Sequence, residues 1–216
     1  MPHKEAALEF CDEVDPLAQR IGAVNTIVFK DGRSYGSNTD AFGFIENLRQ
    51  NASDIDFTSA KAVVLGAGGA ARGVIVALQD AGVSQIVLVN RTKSRADTLA
   101  ADLKKSAPNS MVEVVDWEQR SNILPGVDLL VNTTSLGMSG QPALELDLSK
   151  LPDQAVVTDI VYAPLITPLL AMAQERGNKI VDGLGMLLHQ ARPGFEAWFE
   201  QKPEVTDALR DFVLND

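Results

Sequence analysis

Short apolar runs alternate with amphipathic stretches from residue 61 onward. The runs are rich in Val, Ile and Leu, and the stretches between them repeat their apolar residues every three or four positions. The first pattern is typical of buried parallel strands and the second of helices that cover a sheet. Strands are predicted at 62–65, 85–89, 111–115, 128–132, 155–159 and 179–181, with the clearest helices at 70–80, 94–105 and 167–176. This order predicts an α/β fold with a doubly wound, Rossmann-like parallel sheet.

The two ends of the chain follow other patterns. Lys30-Asp31-Gly32 separates two short strand-like segments and predicts a β-hairpin, because Asp-Gly tolerates left-handed turn conformations. Thr39 or Asp40 is the expected cap of the helix that follows. Near the C-terminus, Pro193-Gly194 is expected to break a helix. The elements predicted here are helices at 3–11, 16–22, 41–50, 186–201 and 206–214 and strands at 25–29 and 33–37.

A glycine-rich segment follows the first strand of the alternating region. Gly66, Gly68 and Ala71 form the pattern G-x-G-x-x-A. In dinucleotide-binding folds the first position permits a tight turn, the second lets a pyrophosphate reach backbone N–H groups, and the third lets the helix approach the sheet. An ordinary strand–helix turn can show the same spacing. The predicted pyrophosphate-binding residues are Gly66, Ala67, Gly68, Gly69 and Ala70.

The next strand ends in a basic loop that indicates which dinucleotide binds. NAD-binding folds usually carry Asp or Glu here, whereas Arg91 suits a 2′-phosphate. Three basic residues within five positions, Arg91, Lys93 and Arg95, are unusual in a chain with 29 acidic and 19 basic residues. The sequence therefore predicts NADP rather than NAD. The expected cofactor-binding residues beyond the glycine turn are Asn90, Arg91, Thr92, Lys93, Ser94 and Arg95, with Thr133, Thr134 and Ser135 after the fourth strand.

Composition narrows the possible partners and compartments. A net charge of −10 argues against nucleic acid or an anionic membrane as partner. No apolar run approaches the ~20 residues of a membrane span. Cys11 is the lone cysteine, which excludes an intrachain disulfide and favours a reducing, cytoplasmic setting. His3 and His189 lack metal-ligand spacing, so no metal is expected.

Several separate strings together resemble the shikimate dehydrogenase family over the whole chain. They are Met1 to Lys4, Gly22 to Thr26, Gly36 to Asp40, Gly66 to Arg72, Asn90 to Arg95, Asn132 to Met138, and Asp182 to Leu187 with Gln190 following. The resemblance implies NADPH-dependent, reversible reduction of 3-dehydroshikimate to shikimate in chorismate and aromatic amino acid biosynthesis.

The resemblance also implies a set of site residues. Lys4 is the implied catalytic lysine and Asp40 its partner across the substrate. Without the resemblance, a lysine near the start of a chain is usually solvated, and Asp40 is equally well explained as a helix cap. The implied substrate-binding residues are Lys4, Asn25, Asp40, Tyr162 and Gln190, and the implied backbone contacts to the nicotinamide end are Ile160 and Gly183.

The start of the chain departs from the family pattern. The family begins earlier, with a segment whose serines hold the substrate carboxylate. Residues 1–40 together with the C-terminal helices bury too little surface for a domain. We therefore expect a truncated chain that binds NADPH but turns over shikimate poorly. The expected division is 1–40 as the remainder of an α/β substrate domain, 41–184 as the NADP-binding Rossmann domain, and 185–216 as C-terminal helices returning to the substrate domain.

Three alternatives stay open at this stage. The nearest is an NAD-dependent quinate/shikimate dehydrogenase, against which Arg91 argues. A second is a non-catalytic NADP-binding fragment. A weaker third is glutamyl-tRNA reductase, which needs a catalytic cysteine and an RNA partner that this acidic chain does not favour. Either a monomer or a homodimer is compatible with the sequence.

Overall fold

A small three-stranded sheet with flanking helices forms the N-terminal part of the computed structural model, which describes residues 3–107 and 111–215. The strand order is β1-β3-β2, with β1 parallel to β3 and β2 antiparallel to it. The hairpin turns at Asp31 and Gly32, whose φ angles of 52° and 77° are left-handed, as predicted. The elements are α1 (His3–Phe10), β1 (Glu13–Val14), α2 (Pro16–Ile21), β2 (Thr26–Lys30), β3 (Arg33–Ser37) and α3 (Asp40–Asn51).

Six parallel strands form the larger sheet. Their order is β6-β5-β4-β7-β8-β9. Successive strands are therefore added on one side of β4 up to β6 and on its other side from β7 onward, so the strand order reverses between β4 and β7. This confirms the predicted doubly wound fold. Each strand lies within one residue of its predicted bounds. The elements are β4 (Lys61–Leu65), α4 (Gly69–Asp80), β5 (Gln85–Asn90), α5 (Lys93–Ser106), β6 (Met111–Asp116), a 3₁₀ turn (Trp117–Gln119), β7 (Leu129–Asn132), β8 (Val156–Asp159), α6 (Pro168–Glu175), β9 (Lys179–Val181), α7 (Gly183–Phe199) and α8 (Asp207–Asn215).

The core lies on both faces of the larger sheet. Along β4, Ala62 and Val64 face one hydrophobic cluster and Val63 and Leu65 face the other, as the two-residue period of a strand requires. Helices α3, α4 and α5 cover the first face, and α6 with the segment 144–151 covers the second. Sheets covered on both faces have the continuous apolar strands seen here.

Helix α7 differs from its predicted form. It begins at Gly183, three residues earlier than predicted, and Oδ1 of its N-cap Asp182 accepts a hydrogen bond from Leu184 N at 3.0 Å. The predicted break at Pro193-Gly194 is wrong, because the helix continues through Pro193 to Phe199. A proline removes one intrahelical hydrogen bond, and tertiary packing can hold the helix on both sides of it. Here α7 packs along α3, and Trp198 Nε1 donates to Ile27 O on β2 at 3.1 Å.

No described helix combines the length and the apolar character that crossing a bilayer demands. Within the described ranges, no group of three or more acidic, histidine or cysteine side chains is arranged to hold a metal ion.

Candidate functional site

The loops after β4, β5 and β7 are joined at the point where the strand order reverses. Gly66 has a φ of 106°, and a Cβ there would stand 2.7 Å from Thr133 Oγ1. Gly66 N donates to Val89 O on β5 and Thr133 N donates to Leu65 O on β4, both at 2.8 Å. Ligands of open α/β sheets bind at such a switch point. A glycine is therefore required at position 66 by both its backbone conformation and its close neighbour.

Thr133 and Thr134 have different surroundings. The Thr133 side chain is buried and its hydroxyl donates to Leu65 O at 2.7 Å, which holds the glycine turn against β7. Thr134 Oγ1 donates to Asn132 Oδ1 at 2.7 Å and lines a cavity together with Ser135. Of the predicted residues in this loop, Thr134 and Ser135 thus face open space and Thr133 supports the turn.

A cavity of about 430 Å³ lies at the N-terminus of α4, which we call the glycine-turn pocket. A Cβ added at Gly68 or Gly69 would meet nothing within 4 Å, so the turn opens onto free space. The N-cap Gly68 provides no capping side chain, and helix N-termini of this kind attract phosphates. The lining residues are Glu5, Ala67, Gly68, Gly69, Arg72, Ser94, Arg95, Thr98 and Leu99.

A second cavity, of about 290 Å³, contains Arg91 and is called the Arg91 pocket. Asn90 lines this cavity and is bonded to the glycine turn, because its Oδ1 accepts from Ala67 N at 3.2 Å, while its Nδ2 donates to Thr92 O at 2.8 Å. The basic loop is therefore divided, with Arg91 in one cavity and Arg95 in the other. The lining residues are Asn90, Arg91, Trp117, Thr134, Ser135, Leu136, Gln141 and Pro142.

The basic side chains of this loop are not equivalent. Lys93 Nζ lies 3.6 Å from Asp97 Oδ1 and 3.8 Å from Asp116 Oδ1. Over residues 3–107 and 111–215, neither Arg91 nor Arg95 forms an ion pair. These two guanidinium groups are thus available to an anionic ligand, and Arg is well suited to phosphate.

Lys4, Asn25 and Asp40 come together from three separate segments. Lys4 Nζ lies 2.6 Å from Asp40 Oδ2, and Asn25 Nδ2 donates to Asp40 Oδ1 at 2.9 Å. The Asp40 side chain is 13% exposed and that of Lys4 33%. Both carboxylate oxygens therefore have a partner, while the ammonium group stays accessible. Met1 and Pro2, which begin the string that ends at Lys4, lie outside the described residues.

The Asn25 amide is almost fully bonded within the protein. Its Nδ2 donates to Thr39 Oγ1 at 3.0 Å as well as to Asp40, and its Oδ1 accepts from Thr39 N at 3.0 Å. A backbone N–H can only donate, so this contact fixes which amide atom is oxygen. In this geometry Asn25 orients Asp40, and its amide has no further hydrogen to donate to a substrate.

The start of α3 explains why Asp40 is free to meet Lys4. Thr39 is the N-cap but makes no side-chain capping bond, and Asp40 is the first helical residue. Asn38 instead provides the local support, because its Oδ1 accepts from Asp40 N at 2.9 Å. Thr39 or Asp40 was the predicted cap, and the N-cap position of Thr39 confirms the first choice. Neither side chain makes a capping bond, since the Thr39 hydroxyl bonds Asn25 and the Asp40 carboxylate bonds Lys4 and Asn25.

The other predicted residues occupy distinct positions. Gln190 on α7 packs one helical turn from Asp40, where a Cβ added at Gly43 would stand 2.6 Å from Gln190 Cβ. A Cβ at Gly183 would stand 2.5 Å from Ile160 O, so these two predicted residues are neighbours. Tyr162 follows the end of β8 and is 50% exposed.

Asp159 is a buried acid that the sequence analysis did not single out as functional. It accepts hydrogen bonds from Asn132 Nδ2 at 3.0 Å, Val161 N at 3.0 Å and Thr167 Oγ1 at 2.8 Å. Burial raises its pKa, and these hydrogen bonds oppose the rise. Asn132 and Asp159 are register partners on β7 and β8, so the acid fixes the strand ends that lead to Thr134 and Ile160. The sequence does contain a signal for this pair, because Asn132 and Asp159 are the polar last residues of two predicted strands.

Two family models match the chain. Shikimate / quinate 5-dehydrogenase matches residues 47–162, and the shikimate dehydrogenase substrate binding domain matches residues 1–27. The NADP(+) shikimate dehydrogenase of Paramagnetospirillum magneticum is 61% identical over 216 residues, which are 100% of this chain and 76% of that protein.

Solved structures show the same relationship. Shikimate 5-dehydrogenase of Thermus thermophilus, in complex with NADP(H) and shikimate, is 40% identical with a TM-score of 0.80, covering 94% of this chain and 72% of that one. Quinate dehydrogenase of Corynebacterium glutamicum, in complex with NAD, is 32% identical with a TM-score of 0.92, covering 100% and 76%. The predicted fold and family are both confirmed: this chain belongs to the shikimate dehydrogenase family.

Proposed function

We propose that the chain catalyses the reversible, NADPH-dependent reduction of 3-dehydroshikimate to shikimate, with Lys4 and Asp40 as the catalytic pair. The observation that carries the assignment is the 2.6 Å contact between Lys4 Nζ and Asp40 Oδ2, made within a family of NADP(+)-dependent shikimate dehydrogenases. The family confirms the predicted class of enzyme, an oxidoreductase, and its NADP cofactor.

Lys4 and Asp40 have complementary roles in this reaction. Reduction of a ketone places negative charge on its oxygen, and the Lys4 ammonium stabilises that charge and supplies a proton from Nζ. Asp40 keeps this ammonium in place and accepts a hydrogen bond from a substrate hydroxyl. Asn25, through its 2.9 Å bond to Asp40 Oδ1, holds the carboxylate in the orientation that reaches Lys4.

The substrate-binding set extends from this pair. Gln190 of α7 packs against α3 at Gly43, one turn from Asp40, which supports a role in binding a second hydroxyl group of the substrate. Tyr162, exposed at the end of β8, is free to contact substrate from the nucleotide side. The residues proposed to contact the substrate are therefore Lys4, Asp40, Tyr162 and Gln190, while Asn25, the fifth predicted residue, acts through Asp40.

The two cavities fit the two ends of the adenosine half of NADP. The free space beside Gly68 and Gly69, at a helix N-terminus, suits the pyrophosphate. Arg91 and Arg95 carry no acidic partner in the described structure and suit the 2′-phosphate, while Asn90 stands where an NAD-binding fold carries an acid. When bound, the cofactor supplies or accepts the hydride.

Binding of the nicotinamide half is proposed along the carboxyl ends of β7 and β8. Ile160 and Gly183 are neighbours there, and their backbone groups offer contacts that do not depend on side chains. Thr134 and Ser135 line the Arg91 pocket at the same edge of the sheet. The buried Asp159 connects the ends of β7 and β8 through its bonds to Asn132 and Val161.

Calorimetric titration with NADP⁺ and NAD⁺, followed by steady-state oxidation of shikimate and quinate, tests the assignment. We expect tighter binding of NADP⁺ and faster turnover of shikimate. Tighter binding of NAD⁺ with preference for quinate would instead support the rival suggested by the likeness to quinate dehydrogenase of Corynebacterium glutamicum.

The division of the chain and its location are also proposals. The small sheet supports a substrate-side unit over 1–40, the six-stranded sheet supports a nucleotide-binding unit over 41–184, and contact of α7 with both α3 and β2 supports a returning segment over 185–216. Cys11, the lone cysteine, is a free thiol, which is compatible with a cytoplasmic enzyme.

A further inference from the structure

We propose that Trp117 forms an aromatic wall of the adenine site and strengthens nucleotide binding through contact with the base. The inference rests on the proposed function, because it requires NADP to place its adenine in the Arg91 pocket. Trp117 is half-buried and lines that pocket together with Arg91 and Thr134.

The sheet places Trp117 beside Arg91. Asn90 and Asp116 are register partners on the parallel strands β5 and β6, and Arg91 and Trp117 are the residues that directly follow them. Neighbouring parallel strands lie about 4.8 Å apart, so residues that directly follow two register partners are close neighbours at the carboxyl ends of the strands. A planar base that enters the pocket beside them can contact both the guanidinium group and the indole ring.

Contacts on the protein side hold the indole ring in place. The guanidinium carbon of Arg120 lies 4.8 Å from the Trp117 ring centroid. Arg120 is itself fixed, because its Nη1 donates to Trp117 O and its Nε to Glu145 O, both at 2.9 Å. The ring also packs against the hydrophobic cluster on the second face of the sheet. A ring ordered before binding loses little entropy when a base stacks on it.

The remaining lining of the pocket suits a purine. Its volume of about 290 Å³ is bordered by the amides of Asn90 and Gln141 and by the Ser135 hydroxyl. Amides and hydroxyls can bond the ring nitrogens and the amino group of adenine, while the indole provides the apolar surface. Base–aromatic stacking typically changes affinity by about 10-fold when the aromatic ring is removed.

The two tryptophans of the chain allow a matched experiment. Trp198 lies on α7 and bonds Ile27 O on the small sheet, away from the Arg91 pocket. The probe is 2′,5′-ADP, which carries the adenine and the 2′-phosphate but no nicotinamide. We expect its Kd, measured by calorimetry, to rise about 10-fold in Trp117→Ala and to change less than about twofold in Trp198→Ala.

Fluorescence gives a second readout that does not require the alanine variant to fold. In Trp198→Phe all indole emission comes from Trp117, and saturation with 2′,5′-ADP is expected to change it. In Trp117→Phe, where Trp198 is the emitter, the emission is expected to stay constant. Unchanged emission in Trp198→Phe at saturation, or an unchanged Kd in folded Trp117→Ala, would overturn the inference while the proposed function stands. Failure of the unmodified chain to bind 2′,5′-ADP or NADP⁺ would overturn both.

Discussion

Two regions of the molecule differ in how far their polar groups are bonded within the protein. One is the nucleotide edge of the large sheet, formed by the loops at 66–70, 90–95 and 133–135, and the other is the Lys4–Asn25–Asp40 cluster. At the nucleotide edge, the glycine turn opens onto free space and Arg91 has no acidic partner among the described residues. In the cluster, every oxygen of the Asp40 carboxylate and both hydrogens of the Asn25 amide already have partners. The first region gains its hydrogen bonds from the ligand, whereas the second has its geometry fixed before the ligand arrives.

This difference fits the tasks that we propose for the two regions. A dinucleotide carries several negative charges, and unpaired cations and N–H groups bind it without first breaking internal bonds. Proton transfer needs a donor whose position is already fixed, because preorganised groups stabilise developing charge without rearrangement. Four variants or conditions test the contrast, in order of decreasing effect.

Replacing Lys4 by Met has the largest expected effect. The side chain keeps its length but loses the proton and the charge that the reaction needs, so kcat for shikimate oxidation should fall by about 100-fold or more. The affinity for NADP⁺, set at the other region, should change little. Lys30→Met, at an exposed position on the hairpin, is the control. A Lys4→Met rate within a few-fold of the parent would remove Lys4 from the chemistry.

Replacing Arg91 by Ser tests the nucleotide edge. Loss of a charge-assisted hydrogen bond costs about 1.5–3 kcal/mol, so the Kd for NADP⁺ should rise about 10- to 100-fold, and that for NAD⁺, which loses only the contact of Arg91 with the base, should rise clearly less. Lys93→Ser should have a clearly smaller effect, because its ammonium is already near Asp97 and Asp116. Calorimetry on both variants decides the matter, and equal losses for the two would contradict the distinction between paired and unpaired cations.

Replacing Thr39 by Val tests the internal bonding of the cluster. The change removes the hydroxyl that accepts from Asn25 Nδ2 and should lower the free energy of unfolding by about 1 kcal/mol. The corresponding fall in Tm is about 2–4 °C for a chain of this size. Ser94→Ala, at an exposed position on the nucleotide edge, should leave Tm unchanged. A larger fall for Ser94→Ala than for Thr39→Val would reverse the comparison.

The smallest expected effect is a pH dependence at His189, beside Gln190 on α7. Burial, and then the nearby charge of Arg192, lower the pKa of His189, against the opposing influence of Glu46. The folded state thus prefers the neutral ring, so its stability is complete above the unfolded pKa of about 6.5 and falls as pH drops below that value. Tm measured from pH 7.5 to 5.5 should fall less in His189→Gln than in the parent. An identical profile in both would assign the pH dependence to other groups.

Local patterns were enough to predict the strands and turns of the edge where we propose that the nucleotide binds. The glycine turn, the basic loop and each strand of the large sheet are made of consecutive residues, so the periodicity and spacing of the sequence describe them directly. The predicted role of Gly66 as a turn residue agrees with its φ of 106°. Even here Trp117 was missed, because its place beside Arg91 depends on the pairing of β5 with β6.

The cluster and its supports depend on contacts between distant residues. Resemblance brought Lys4 and Asp40 together, but no spacing in the sequence indicates that Asn25 donates its amide hydrogens to Thr39 and Asp40. The strand β1 has two residues and is too short to show the alternation of apolar and polar positions that indicates a strand. Asp12, just before it, accepts hydrogen bonds from Ser34 of β3. Pro193 shows the same limit, because packing of α7 against α3 outweighs its local preference.

The position of Asp40 at the start of α3 has a mechanical consequence. A Cβ added at Gly73 of α4 would stand 3.7 Å from Asp40 Cβ, so Asp40 packs against the helix that follows the glycine turn. Lys4 is bonded instead to the segment that leads into β2, since its carbonyl accepts from Val24 N at 2.9 Å. The ion pair thus joins the segment before β2 to the helices that cover the large sheet, and any displacement of one against the other would lengthen its 2.6 Å contact.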